Sequence, residues 1–241
     1  IEVFGYRSKI LFYIIKKISN YIYFNIDYLL AQSKSISKIL QKRYKKKIYY
    51  FPNWSEKIFI QKPNLKLIEK VKKRTNNTNY NIFFGGNLGK AQDIENILNL
   101  IYLSNKKTNR FNWFLFGEGS EKKELINFIE NNPKKNNIFL FDTISQENLF
   151  YLIKKYADFL FVSLSNKTTL KWTIPGKIQF YFQCKKPIIG MLSGEGNNLI
   201  KKSNSGYVVN SGEYRKLSNL LVKLSKIKDN KLLHQKGLNG F

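Results

Sequence analysis

Short apolar runs alternate with amphipathic segments along most of the chain after residue 79. Between the apolar runs lie segments such as "AQDIENILNLIYLS", whose apolar residues recur every three or four positions, as in a helix with one buried face. The predicted strands are "YNIFFGGN", "FNWFLFG", "NIFLFD", "DFLFVSL", "KPIIGML" and "SGYVV". This alternation predicts βαβ units of the α/β class, forming a Rossmann-like parallel sheet over residues 79–211 with helices on both faces.

The first 54 residues are organised differently and are predicted to form a separate unit. In "SKILFYIIKKISNYIYF" the isoleucines Ile10, Ile14, Ile18 and Ile22 are four positions apart, which predicts an amphipathic helix. We expect this helix to pack on a sheet, although a basic, aromatic helix can also lie on a membrane surface. Two short strands, "IDYLLAQS" and "IYYF", flank the helix "KSISKILQKRYKKK". Residues 55–78 are polar and irregular, so they are predicted to connect this unit to a second one at residues 79–241.

The net charge is extreme, with Lys+Arg 42 against Asp+Glu 16, or +26. Such a field attracts nucleic acids and anionic membranes. Nearly all of the basic residues are lysines, however, whereas bidentate contacts to phosphates and base edges favour arginine. The lysines are also spread along the chain beside many Asn and Ile residues. We therefore interpret the charge mainly as compositional drift, and attraction to a membrane surface remains open.

The chain has one cysteine, Cys184, and one histidine, His234, which we expect to be a buried thiol and a surface residue. A disulfide within the chain and a thiolate or histidine metal cage are therefore excluded. The apolar stretch at residues 10–24 is broken by Lys16 and Lys17 and is too short to span a bilayer. We expect a cytoplasmic protein that contacts the inner face of the cytoplasmic membrane peripherally.

Chemistry is expected in the loops after the strands, because ligands bind at the carboxyl ends of parallel strands. "FGGNLGKAQD" follows the first strand of the large sheet and "FGEGSEKKEL" follows the second. The glycines do not fit the dinucleotide spacing G-x-G-x-x-G, and no carboxylate stands clearly at the end of the second strand, which disfavours a dehydrogenase. "TIPGK" is not a P-loop, because Lys171 occupies the place of the first glycine of that motif.

The third loop has the features of an anion site at a helix start. Pro175 suits the approach to a helix, Gly176 permits close approach of the backbone, and Lys177 adds a positive charge to the bare N–H groups of the first turn. The alternative is a plain Pro–Gly turn with a lysine in solvent.

Together these stretches resemble the C-terminal part of glycosyltransferase family 4, which has the GT-B architecture. "FFGGNLGKAQDIENIL", "FLFGEGSEKKEL", "IPGKIQFYFQCKKPIIG" and "SGEGNNLIKKSNSGYVV" occur in the order and approximate spacing of its bacterial branch that adds amino-sugars of the N-acetylfucosamine type in O-antigen or capsule synthesis. Residues 1–54 resemble the end of the family's acceptor-side N-terminal domain. The chain is therefore expected to be a fragment, and no catalytic residue can be assigned.

The resemblance implies a retaining, metal-independent transfer of a hexosamine-type sugar from a UDP-sugar to a lipid-linked saccharide, with no cofactor. It assigns the donor diphosphate to six residues in the first and third loops: Gly86, Asn87, Gly89, Gln92, Gly176 and Lys177. The base is expected at Asp142 and Thr143, and the sugar or ribose at Glu195 and Gly196.

The chain also departs from the family pattern. Two glutamates, one for the donor sugar and one for the ribose, are replaced by Trp172 and Phe180, so Glu195 is expected to substitute for them. An exposed charge at a helix start is an equally good interpretation of Glu195. Two other functions remain open: a basic nucleic-acid-binding domain, and a glycosyltransferase relative that has lost catalysis.

Overall fold

The structure is a computed structural model that describes residues 9–58, 63–75, 78–132, 137–227 and 230–241. Parts of the predicted first unit (1–8) and of the predicted connection (59–62 and 76–77) lie outside the described residues.

A small parallel pair of strands forms the first unit. Its elements are α1 (Lys9–Asn25), β1 (Leu29–Ala31), α2 (Lys34–Tyr44) and β2 (Ile48–Tyr50). Leu29 pairs with Ile48, and both pack in a small core with Ala31. Ser33 begins α2 by accepting a hydrogen bond from the backbone N–H of Ile36, which satisfies one of the bare donors of the first turn.

Helix α1 forms as predicted, but most of its length does not pack on a sheet; only its last turn, through Tyr23, reaches the small core of β1 and β2. Its apolar side chains remain exposed, as Ile10 (74%) and Tyr21 (72%) illustrate. Only its last turns reach the rest of the unit, where Asn20 accepts hydrogen bonds from Arg43 and Tyr44. The prediction of a packed helix is therefore wrong for most of α1 in the described chain, because periodicity shows that a face is apolar and not what covers it.

The prediction of irregular structure at 55–78 is also wrong in part. Helix α3 (Leu65–Lys72) begins at Asn64, whose side chain accepts a hydrogen bond from the N–H of Leu67. Ile68 and Val71 are buried on one face of the helix, within the core of the large sheet. A spacing of three positions is typical of a helix, but two buried apolar residues in a short, basic segment are too few to predict one.

The large sheet is parallel throughout, which confirms the predicted fold class. Its strands are β3 (Tyr80–Gly85), β4 (Phe111–Phe116), β5 (Ile138–Phe141), β6 (Phe159–Ser163), β7 (Ile188–Met191) and β8 (Gly206–Val209). They lie in the order β5-β4-β3-β6-β7-β8. The chain therefore proceeds outward from β3 to β5, then returns to β6 and proceeds to the other edge. The topology switches between β3 and β6, which is where a cleft is expected at the carboxyl ends.

Helices cover both faces of this sheet. They are α4 (Ile94–Lys107), α5 (Lys122–Asn131), α6 (Gln146–Tyr156), α7 (Thr168–Lys171), α8 (Gly176–Cys184), α9 (Glu195–Lys202), α10 (Tyr214–Leu224) and α11 (Asn230–Leu238), with a 3₁₀ turn at Lys90–Gln92. Successive residues of a strand point to opposite faces. Ile82 and Phe84 accordingly pack in one core layer and Phe83 in the other. The sequence predicts most of these helices, but it does not indicate α7 or α11.

The two units touch near the carboxyl edge of the sheet. The hydroxyl of Ser33 donates to the carbonyl oxygen of Trp172, and the backbone N–H of Ser35 donates to Glu195 Oε1 at 2.7 Å. The start of α2 therefore contacts both the loop before α8 and the start of α9.

Candidate functional site

A cleft of about 550 Å³ lies at the carboxyl ends of β3, β4 and β5, beside the start of α8. Its lining includes the predicted residues Gly86, Asn87, Thr143, Gly176 and Lys177. A larger cleft of about 910 Å³ lies at the opposite edge of the sheet, next to Tyr80 at the start of β3. Because parallel sheets bind ligands at the carboxyl edge, the smaller cleft is the candidate site.

Two glycine loops are joined at the floor of this cleft. The N–H of Gly86 donates to the carbonyl oxygen of Phe116, and the N–H of Leu88 donates to that of Glu118 at 2.7 Å. Gly117 has φ of +152°, and a Cβ atom there would collide with the carbonyl oxygen of Gly86. Only glycine permits this approach, so the loops after β3 and β4 form one rigid wall.

Lys177 crosses from the start of α8 to the loop after β3. Its Nζ donates to Gln92 Oε1 at 3.0 Å and lies 3.7 Å from the centroid of the Phe84 ring. A Cβ atom on Gly86 would be 3.3 Å from the same ammonium group. Burial lowers the pKa of Lys177 to about 7, because the charged form loses water without gaining a carboxylate partner. An anion in the cleft would supply the missing partner.

The approach to α8 leaves room for such an anion. Pro175 is the N-cap of the helix, with φ of −59°. Gly176 lines the cleft and is exposed, and a Cβ atom on it would meet nothing within 4 Å. The first turn of α8 therefore presents backbone N–H groups and a partial positive charge to the cleft, next to Lys177.

The remaining predicted diphosphate residues lie around this point. Asn87 lines the cleft, and Gln92 is held by Lys177. Gly89 is the N-cap of the 3₁₀ turn, and a Cβ atom there would lie 3.2 Å from the Asn87 amide. The structure therefore brings the six predicted residues into one neighbourhood, whereas their contact with a diphosphate stays a prediction.

The two positions that replace glutamates have different environments. Phe180 is buried and lines the cleft, close to Phe150 and Tyr181. Trp172 is not among the lining residues, and its carbonyl oxygen accepts the hydroxyl of Ser33. One wall of the cleft is therefore apolar where the family pattern has a carboxylate.

At the far end of the cleft, Lys122 joins two loops. Its ammonium group pairs with Glu118 Oε1 and, at 2.7 Å, with Asp142 Oδ1. The hydrogen bond to Asp142, followed in importance by the one to Glu118, raises the pKa of Lys122. Lys122 in turn lowers the pKa of the Asp142 carboxyl group. Thr143 lines the cleft beside this group. Sequence reasoning missed Glu118 and Lys122, although Glu118 follows the second strand by only two residues.

Glu195 and Gly196 lie outside the cleft lining. Glu195 stands at the start of α9, where it accepts the N–H of Ser35. Gly196 is buried, and a Cβ atom there would lie 3.1 Å from Ile178 and from Pro175. Glu195 is therefore engaged in a hydrogen bond to α2 and Gly196 is closely packed, and their predicted contact with the donor sugar or ribose stays untested.

Other reactive side chains do not build a second centre. Cys184 is buried, and burial raises the pKa of its thiol to about 12. His234 is exposed on α11. Within the described ranges, no cluster of three or more His, Cys, Asp or Glu side chains is placed to hold a metal ion.

Comparison with known proteins gives a family and a fold. The family described as "Glycosyl transferases group 1" matches residues 66–240. No curated protein matches the sequence significantly. A variant of TarM from S. aureus, solved with fondaparinux, alpha-GlcNAc-glycerol and UDP, is 15% identical with a TM-score of 0.67, and the match covers 93% of this chain and 42% of that one.

HepE from Anabaena, solved with UDP-glucose, is 16% identical with a TM-score of 0.70, and the match covers 93% of this chain and 60% of that one. WaaG, a glycosyltransferase involved in lipopolysaccharide biosynthesis, is 15% identical with a TM-score of 0.63, covering 88% and 56%. The six-stranded sheet thus matches the C-terminal Rossmann-like half of GT-B proteins, and the chain spans about half the length of these relatives.

Proposed function

Because the chain belongs to the glycosyl transferases group 1 family, we propose that it binds a nucleotide-sugar donor for transfer of the sugar to a saccharide acceptor. The observation that carries this proposal is the placement of Lys177, Gly86 and the first turn of α8 around one cleft. A diphosphate is the part of such a donor that requires fixed positive potential, because negative charge develops on it as the glycosidic bond breaks.

The chain's own groups can stabilise this leaving diphosphate. The first turn of α8 contributes about half a positive charge, and protonated Lys177 contributes a full one. Gly176 and Gly86 let the backbone approach the phosphate oxygens, since neither carries a side chain there. We propose that these groups act without a metal ion and that transfer retains the anomeric configuration, as the family resemblance implies.

We propose UDP as the nucleotide and a hexosamine as the sugar. Two structural relatives support the first part, because TarM was solved with UDP and HepE with UDP-glucose. The second part rests on the resemblance of the loop sequences to the amino-sugar branch. In this proposal the base lies at Thr143 and Asp142, and Asn87 and Gln92 bind phosphate oxygens without charge.

Calorimetric titration tests donor binding. We expect UDP and UDP-N-acetylglucosamine to bind with similar, moderately salt-dependent affinity, and uridine to bind more weakly. Single-stranded DNA serves as the competitor class. Tighter binding of DNA than of UDP, falling steeply with salt and independent of sequence, would favour a nucleic-acid-binding domain instead. UDP-N-acetylglucosamine that binds but is never hydrolysed or transferred would favour an inactive relative.

A lipid-linked acceptor would bring this protein to a membrane surface, and α1 is suited to that. Its exposed apolar side chains include Ile10, Phe12 and Ile14, and Lys16 and Lys17 lie on the same helix. No described helix is long and apolar enough to cross a bilayer. The net charge of +26 favours attraction to anionic lipids. We therefore propose that the protein contacts the anionic inner face of the cytoplasmic membrane peripherally.

Vesicle sedimentation tests this contact. Anionic vesicles should bind the protein and release it at high salt, and the double variant Ile10→Asp, Ile14→Asp should bind more weakly. The double variant Lys201→Ala, Lys202→Ala, which changes exposed residues on α9 and lowers the net charge by the same amount, is a control for charge alone. Equal binding to neutral vesicles, or loss of binding in the control to the same extent, would contradict the proposal.

A further inference from the structure

Among the described residues that line the cleft, the two with charged side chains are Glu118 and Lys177. Lys177 lies at the end of β3, against Phe84, Gly86 and Gln92. Glu118 follows β4, and its carboxylate lies toward the loop after β5, where Lys122 joins it to Asp142. The cation and the carboxylate therefore mark two successive positions along the carboxyl edge of the sheet.

Strand order sets what can lie at each position. Neighbouring strands are about 4.8 Å apart, so the ends of β3, β4 and β5 span roughly 10 Å. A nucleotide whose diphosphate lies at Gly86 and whose base lies at Thr143 must place its ribose over the end of β4. The residue that follows the end of β4 on this path is Gly117, and Glu118 comes directly after it.

Besides Glu118 and Lys177, the polar side chains that line the cleft are Asn87 at the diphosphate end, Thr143 at the base end, and Gln146; the rest of the described lining is apolar or glycine. Phe180, Ile144 and Leu149 are apolar lining residues. The Leu149 side chain fills the space beside Gly85, where a Cβ atom would lie only 2.4 Å from Leu149 Cδ2. Unbonded sugar hydroxyls against such a surface would lose their bonds to water without replacement. A carboxylate, by contrast, can accept both vicinal hydroxyls of a ribose in charge-assisted hydrogen bonds.

Glu118 is also held in place for this role. Its carbonyl oxygen accepts the N–H of Leu88 at 2.7 Å, which fixes the backbone against the loop after β3. Lys122 donates to Oε1, and no other described residue donates a hydrogen bond to this carboxylate. In dinucleotide-binding sheets an acidic residue near the second strand likewise holds a ribose hydroxyl.

We propose that Glu118 binds the ribose hydroxyls of the donor nucleotide, in place of a carboxylate at Phe180, and thereby selects ribonucleotides over 2′-deoxyribonucleotides. The proposal rests on the proposed binding of a nucleotide sugar. It concerns a residue of the loop after β4, whereas the diphosphate is assigned to the loop after β3 and the start of α8.

Calorimetry with UDP and 2′-deoxy-UDP on the whole chain tests it. The wild-type protein should bind UDP about tenfold or more tightly than 2′-deoxy-UDP, the effect of one charge-assisted hydrogen bond. Glu118→Ala should bind the two nucleotides equally. The matched control is Glu121→Ala, which removes a carboxylate three residues away that is outside the cleft lining and should keep the wild-type ratio.

The ratio of the two affinities is the readout, because removing a negative charge near the diphosphate changes both affinities together. Equal binding of both nucleotides to the wild-type protein, or an unchanged ratio in Glu118→Ala, overturns the assignment of Glu118 while leaving donor binding intact. If UDP does not bind the wild-type protein at all, the proposed function fails and this inference fails with it. Circular dichroism of each variant confirms that the comparison is between folded proteins.

Discussion

Lys177 and Gln92 are 85 positions apart in the chain, and Lys177 Nζ donates to Gln92 Oε1 at 3.0 Å beside the cleft. The contact joins the start of α8 to the turn that follows β3. It gives the ammonium group a neutral partner, so its positive charge is not cancelled. Because no carboxylate of the described chain neutralises Lys177, its ammonium group can pair with an anion in the cleft.

Replacing Lys177 tests this arrangement directly. Lys177→Ala should weaken UDP binding by on the order of 1.5–3 kcal/mol, because a charge-assisted contact is lost in a partly desolvated site. Uridine, which lacks the phosphates, should be affected little. Titration calorimetry of both ligands measures the difference. Lys202→Ala is the matched control, since Lys202 is exposed at the far end of α9. Equal losses in the two variants would show that the charge acts only diffusely. Lys122 is unsuitable as a control because it bonds to Glu118 and Asp142 at the cleft itself.

The lowered pKa of Lys177 predicts a proton linkage to binding. Free Lys177 has a pKa of about 7, and a bound diphosphate should raise it toward the ordinary value for lysine of 10.5. Binding at pH 8 should therefore take up a proton, and UDP affinity should fall as pH rises above 7, by at most about tenfold per pH unit for one proton. The phosphates of UDP are already ionised in this range.

Calorimetry at pH 8 in two buffers of different ionisation enthalpy measures this uptake. Lys177→Met should bind UDP more weakly and with no proton uptake. If the wild-type protein and the variant show the same pH dependence, the titrating group is not Lys177.

Substitution of Gly176 should change UDP binding, whereas substitution of Gly117 should change the stability of the fold. Gly176→Val should fold normally, because a Cβ atom at this exposed position meets no protein atom within 4 Å, but it should weaken UDP binding by occupying the cleft. Gly117→Ala should lower the free energy of unfolding by about 1–3 kcal/mol or more, because φ is +152° and the new methyl group collides with Gly86. Thermal unfolding and UDP titration separate the two effects. A destabilised Gly176→Val protein that binds UDP normally would contradict the expected geometry.

Hydrogen exchange and donor affinity together distinguish a structural role of Glu195 from a role in binding the donor sugar. In the structure it accepts the N–H of Ser35, so Glu195→Ala should increase hydrogen exchange in the first turn of α2. Ser33→Ala, which removes the N-cap of the same helix, should do likewise and cost about 1 kcal/mol of stability. A role in binding the donor sugar predicts something different: Glu195→Ala would weaken UDP-N-acetylglucosamine relative to UDP, whereas Ser33→Ala would leave that ratio unchanged.

The sequence by itself determined the elements of the sheet and the loops that carry chemistry. Strands such as β4 are apolar at every position except Asn112 and are followed by a glycine, a pattern set by burial on both faces and readable without a structure. The Pro175–Gly176–Lys177 helix start is equally local, because it depends on the backbone preferences of consecutive residues.

Only the tertiary structure decided which loops meet and which faces are covered. Strand order brings Gln92 to Lys177 and Asp142 to Lys122, and no spacing along the chain encodes that order. The same limit explains the misjudged α1 and the missed α3: periodicity reveals an apolar face, whereas exposure depends on what else packs there. Glu118 is the clearest case, because its position in the cleft arises from the adjacency of β3, β4 and β5, a property of the folded sheet rather than of any one segment.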